Sequence, residues 1–322
     1  MTEYLHRLLS LCSFSFRKLA DDRQMISRFL QSGPSNPLRS AGMMLAACAL
    51  IALTTIIAKA LGTGYGGPPL HPLQISAGRF IFALVGLAGA LAVLRPRFHR
   101  PHIRLHVGRS FFGWAGVTLM FAAVARIPVS DATAISFLNP IFGMLLAIPL
   151  LGERVGPIRW SAAAIALLGA LVLLRPGSSA FDPAALIALM AALFMGIEVI
   201  LIKKLSGREA PLQILTINNS IGAVIACTAA SFVWIAPSPS QWMALAAIGL
   251  VMVTAQSLFI QSMRSGDASF ALPFSYSTLV FATLYDFWIF GVLPDWVSAV
   301  GGIIILSGAF LLAWREVVRN RQ

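Results

Sequence analysis

The chain has 322 residues, 58% of them hydrophobic and only 11% charged, with a mean hydropathy of +0.82. A soluble domain carries about 25% charged residues, so a water-soluble globular protein is excluded. The formal net charge of +12 lies between apolar blocks of about 20 residues, the length that crosses a bilayer as helix. That places the charge in membrane-flanking loops and not on a nucleic-acid surface.

Residues 1–39 are basic and only patchily apolar (LHRLLSLCSFSF, then RKLADDRQ). The apolar run is short and no small-residue cleavage site follows it, so a cytoplasmic amphipathic lead-in is expected in place of a cleaved signal. Met25 is a second candidate start, which would leave the first 24 residues outside the native protein. Cys12, Cys48 and Cys227 have neither metal nor redox spacing.

Ten spans follow, at about 41–60, 72–94, 106–125, 131–151, 158–174, 183–202, 212–235, 241–263, 269–291 and 296–314. Short connections predict antiparallel neighbours in chain order. With the N-terminus inside, most Lys and Arg fall in the inside segments, including Arg95, Arg97, Arg100, Arg104, Arg154, Arg159, Lys203, Lys204, Arg208 and Arg264. The outside loops hold Arg126 and Arg175. This asymmetry predicts an inner-membrane protein with both termini cytoplasmic. A short tail, 316–322, follows the last span.

The chain repeats itself. PLQI at 72–75 returns at 211–214, and LLGALVLL at 167–174 aligns with LSGAFLLA at 306–313. Two five-span units are predicted, 40–175 and 182–315. An odd span count makes them face opposite ways, the inverted repeat of many secondary transporters, whose site lies near midplane between the units. The expected fold is all-α, with ten transmembrane helices. Both units lie in one chain, so a monomer suffices.

ATAISFLNPIFGMLLAIPLLGERV followed by WSAAAIALLGALVLLRPG resembles the EamA signature of the drug/metabolite transporter superfamily. AGRFIFAL at 77–84 is similar to that family's second-span Arg motif, and IAKALG at 57–62 to the first-span Lys of its S-adenosylmethionine-type uptake branches. The second unit departs from the signature, since FGVLPD at 290–295 lacks the Glu-Arg. The resemblance implies a central cavity, alternating access and a small-molecule substrate such as an amino acid, a nucleotide-like metabolite, riboflavin or a xenobiotic.

Several residues could carry that function. Pro140 removes a helical hydrogen bond near Ser136 and is the expected kink, with Asn139 bringing an amide to midplane. Arg79, about two turns inside span 2, is a costly buried charge that could meet an anion or a carboxylate; Asn218 is its repeat counterpart. Glu198 and Asp286 are the acids inside spans, each a possible proton carrier or counter-ion for Arg79 or Arg109. The bland alternatives are a local interaction of Glu198 with Lys203 and Lys204, and snorkelling of Asp286 at the outer interface. Lys59 is expected to anchor at headgroups.

Trp114, Phe137 and Tyr276 could stack on a planar ligand, beside Ser275 and the amides of Gln256 and Gln261. Tyr285 and Trp288 fit an interfacial belt. Such a cavity favours a planar polar vitamin, riboflavin being the named expectation and S-adenosylmethionine or an amino acid the alternative. His99, His102 and His106 fit a solvated basic loop better than a metal site. No phosphate loop is present, and no cofactor or metal is implied. A membrane-embedded enzyme would need paired acids, His ligands or a nucleophile at one depth. Glu198 and Asp286 are expected near opposite faces.

Overall fold

A computed structural model describes residues 37–94, 96, 98, 100–139, 141–143, 145–146, 157–174, 182–206, 208–265, 274–275 and 277–319. Among them the regular structure is helical. The helices are α1 (Pro37–Gly62), α2 (Pro72–Leu94), α3 (Ile103–Val124), α4 (Val129–Ser136) and α5 (Pro157–Leu174). They continue as α6 (Ala184–Ser206), α7 (Pro211–Ala230), α8 (Pro239–Ser265), α9 (Ser277–Phe290) and α10 (Trp296–Arg319). Proline opens α1, α2, α5, α7 and α8, where its fixed φ suits the first turn and its missing N–H costs nothing. Gly291, at φ 68°, ends α9 in the left-handed region that a Cβ would disfavour.

Among the described residues, six helices are long and apolar enough to cross a membrane: α1, α2 and α3, then α6, α7 and α8. Shorter apolar stretches lie in α5, α9 and α10. α10 runs on to Arg319, so the expected tail is helical for most of its length. The bundle has an apolar surface as well as an apolar core with polar residues set into it. Val224, Ile303, Val85 and Leu168 are exposed, while Gln74, Ser76, Gln213 and Asn219 are buried. Lipid is the solvent that makes such a surface stable.

The fourth expected span is broken where it is described. α4 stops at Ser136, and the Phe137 and Leu138 amides donate to Ala134 and Ile135 carbonyls at 3.2 and 3.0 Å, one residue tighter than an α-helix. Helix resumes at 141–143. The Ser136 carbonyl is the one a residue at 140 would have satisfied, had it an N–H. Pro140 itself lies outside the described residues, as do Tyr276, His99, residues 1–36 and the Gly152-Glu153-Arg154 terminus.

Packing corrects the expectation of neighbours in chain order. The main partners are α1 with α8, α3 with α6, α2 with α7 and α8, and α5 with α10. Each joins a helix before residue 182 to one after it. Loop length fixes direction, but close approach is decided by small side chains on facing stripes. At Gly169 a Cβ would come within 2.6 Å of the Ile305 nitrogen, so α5 and α10 meet backbone to backbone only because that position is glycine.

Candidate functional site

Three groups of buried polar residues lie within this frame. The first joins α1, α4 and α9. Lys59 Nζ is 2.5 Å from Asp286 Oδ1, and the Val129 N–H donates to Asp286 Oδ2 at 2.9 Å. Lys59 also stands over the Phe290 ring, 4.6 Å from its centroid. Pro128 precedes α4 and brings no side-chain cap, so Asp286 satisfies an orphan donor of that helix and places negative charge at its positive end. Asp286 does not snorkel and Lys59 is not a headgroup anchor: both are buried. A satisfied pair can stay out of water where a lone charge cannot.

The second group is built by α2, α3, α6 and α7. Arg109 lies 3.6 Å from Glu198 through Nε–Oε1, and its Nη1 donates to the Ile214 carbonyl at 3.0 Å. Gly113 makes room for this acid, since a Cβ there would stand 2.7 Å from Glu198 Oε1. Glu198 is thus paired across helices with Arg109. Arg79 lies within electrostatic reach of both Glu198 and Arg109. It is 4% exposed, and its guanidinium sits over Phe80 at 4.6 Å.

Phe80 and Trp114 pack in one small apolar cluster with Ala77, Ala223 and Ala226. A Cβ at Gly222, one turn after Asn218, would touch the Phe80 ring at 2.5 Å. Several polar atoms in this region are buried without a hydrogen-bond partner: Arg79 Nε and Nη1, Trp114 Nε1, Asn218 Oδ1 and Ser110 Oγ. Buried polar atoms are rarely left so, and here donors and acceptors are both open.

The third group ties the α2–α3 link to the α6–α7 link. The His102 amide donates to Glu209 Oε1 at 2.8 Å, with the His102 ring 3.1 Å away. The His106 ring and the amide of Gln213 donate to Glu209 Oε2 at 2.8 and 2.7 Å. Burial works to raise the Glu209 pKa, but the hydrogen bonds from His102 and His106 outweigh it and hold the carboxyl at about 2. His106 is fully buried, so the solvated-loop expectation fails for it. The opposite end is closed by neutral groups. Gln74 donates to the Ile235 carbonyl at 2.6 Å, Gln241 to that of Pro68 at 2.8 Å, and Ser238 to that of Gly66 at 2.7 Å.

Of the residues expected from sequence, Arg79, Trp114, Asn218 and Glu198 are therefore carried by helices that pack on one another. Asn139 lies beside α6, its carbonyl 2.9 Å from where a Gly196 Cβ would stand. Phe137 packs on the largest apolar cluster. Ser275 belongs elsewhere, its carbonyl accepting from Cys48 Sγ at 3.6 Å and from Thr278 at 2.8 Å. Gln256 is half-buried on α8. Asp286 is in the first group and Glu198 in the second, so the two acids have different partners. Trp288 is exposed, as a belt residue should be, while Tyr285 turns toward Phe281 with ring centroids 6.2 Å apart. Ser110 carried no signal in the sequence, being one hydroxyl in an apolar span. Glu209 was overlooked because a loop acid beside Arg208 reads as solvated.

Known proteins place this arrangement. The model of the EamA-like transporter family matches residues 38–175 and again 182–314. The chain is 26% identical over 270 residues to the S-adenosylmethionine uptake transporter of Rickettsia prowazekii (strain Madrid E), covering 83% of this chain and 91% of that protein. It is 30% identical over 247 residues to the riboflavin transporter of Rhizobium johnstonii, covering 76% and 80%. A solved crystal structure shares the fold with a TM-score of 0.57 at 21% identity, over 84% of this chain and 98% of its own. The chain belongs to the EamA-like transporter family of the drug/metabolite transporter superfamily, and is a multi-pass membrane transporter of small metabolites.

Proposed function

We propose that this protein is a secondary carrier that moves a small polar metabolite across the cytoplasmic membrane by alternating access. Its working unit is a ten-helix fold of two inverted five-helix repeats, 40–175 and 182–315, with both termini cytoplasmic. Two successive family matches support the division, as does packing that pairs α1 with α8 and α3 with α6 across it. The Lys and Arg asymmetry supports the orientation. A monomer holds both repeats.

The observation that carries the proposal is the group around Arg79. Arg79 and Trp114 come from one repeat, Asn218 and Glu198 from the other, and the open polar atoms lie among them. A site shared by two bodies is exposed to one side and then the other as they rock. Asn139, at the break in the fourth span, and Gln256 on α8 are the further contacts we assign to the path. A planar polar solute fits the Trp114 and Phe80 rings beside these groups. The relatives named for riboflavin and S-adenosylmethionine make those two the first solutes to test. The test is uptake into proteoliposomes of labelled riboflavin, S-adenosylmethionine and amino acids, with and without a proton gradient. Saturable flux accelerated by counter-substrate is expected. No protein-dependent flux of any of them would discard this substrate range.

A further inference from the structure

The inference concerns the same site and rests on the carrier proposal. Arg79 is always charged at physiological pH. A buried cation needs an anion or a set of acceptors. Among the described residues no carboxylate lies within 4.0 Å of it. The nearest acid in its group, Glu198, is engaged with Arg109. Nε and Nη1 of Arg79 have no acceptor. Two guanidinium groups and one carboxylate leave the group one negative charge short. Lys59 shows that this fold can supply a buried cation with a carboxylate, since Asp286 does so directly. Arg79 is also sequestered in the bundle, at 4% exposure, so lipid headgroups do not reach it.

We infer that the transported molecule carries an anionic group, a carboxylate or a phosphate, that docks on the open donors of Arg79 and completes the charge of this site. Guanidinium presents two parallel N–H groups to such an anion. The Trp114 Nε1–H is a further open donor in the group. Asn218 Oδ1 is an open acceptor, suited to an amine or hydroxyl of the same molecule. The substrate is then a polar molecule with an anion at one end and a donor close to it, as in a zwitterion, and its apolar or aromatic part lies against Trp114 and Phe80.

The test uses matched pairs that differ in the anion alone: S-adenosylmethionine against its decarboxylated analogue, and riboflavin 5′-phosphate against riboflavin. Equilibrium binding to the purified full-length protein is measured for all four, with wild type, Arg79→Gln and Arg79→Lys. In the wild type the anionic member of at least one pair should bind about 10- to 100-fold tighter, the range for a buried charge-assisted contact. Arg79→Gln should erase that preference, chiefly by weakening the anionic member, and Arg79→Lys should keep part of it. The pair that responds tells carboxylate from phosphate. Equal affinity within both pairs, a preference that survives Arg79→Gln, or binding of none of the four would overturn the inference. The wild-type comparison stands even if a variant fails to fold. Uptake separates the two proposals: saturable riboflavin flux indifferent to Arg79→Gln sinks the anion and keeps the carrier, whereas anion-selective binding without flux does the reverse.

Discussion

Lys59 and Arg79 are both basic residues buried within spans, one helix apart in the chain, and their surroundings are opposite. Lys59 has a carboxylate at 2.5 Å, and that carboxylate also holds the first amide of α4. Arg79 has an aromatic ring beneath it and two open N–H groups. Burying a charge costs several kcal/mol unless it is compensated. The Lys59 group is compensated from within, so its role is to join α1, α4 and α9. The Arg79 group is not, and the missing compensation is what a ligand can supply. Among the described intramembrane charges, then, Arg79 is the one that our proposal assigns to a ligand.

The largest way to break this contrast is to open the closed pair. Asp286→Ala leaves Lys59 alone in the bundle and frees the Val129 amide, so a loss of about 3–5 kcal/mol is expected. Thermal unfolding in detergent should show it as a large drop in midpoint. The double variant Lys59→Met with Asp286→Leu should recover most of it, because an apolar pair of similar size replaces a buried ion pair at little cost. No recovery would mean that the charges themselves are needed beyond their mutual pairing.

Glu209 sharpens the comparison at the end of the bundle, where a carboxylate is again fully satisfied. Its folded pKa of about 2 is below the ordinary 4.5, so the fold favours the charged form. The stabilisation is complete above about pH 4.5 and is lost as pH falls from there toward 2. The midpoint of the wild type should therefore decline through that window. Glu209→Gln should start lower at neutral pH, by about 1–3 kcal/mol, and decline less steeply. Parallel curves for the two proteins would remove Glu209 as the source.

The smallest effect on stability is expected at Gly113. Its added Cβ meets the far end of a flexible acid, so Gly113→Ala should cost no more than about 1 kcal/mol. Glu198 would be pushed from Arg109, and transport should fall by more than stability does. Uptake compared with unfolding of the same sample checks this; unchanged uptake would make the Arg109–Glu198 pair dispensable.

Several helices were legible because they are apolar blocks bounded by Pro, Gly or charge. Pro72, Pro211 and Pro239 all begin helices within two residues of the expected start. The interruption of the fourth span was legible too, since a missing N–H at 140 must end hydrogen bonding near Ser136. Arg79, Trp114, Asn218 and Glu198 were identifiable as polar or aromatic residues at span depth. What they face was legible only in part: Glu198 was expected as a counter-ion for Arg79 or Arg109, and Arg109 is its partner. Lys59 and Asp286 are 227 positions apart, and nothing local marks them as partners. Glu209 carried no signal because its His102 and His106 partners lie 107 and 103 positions away.

The sequence by itself determined that this is a helical membrane protein, where several of its helices begin, that stretches of its sequence recur, and to which family it belongs. These follow from hydrophobicity, backbone chemistry and internal similarity, which are properties of short stretches of chain. Only the tertiary structure decided that helices pair across the chain midpoint in preference to their neighbours in order, and which buried charge is satisfied and which is open. Those outcomes depend on which glycine-bearing faces can approach closely and on which distant side chains that approach brings within hydrogen-bond distance.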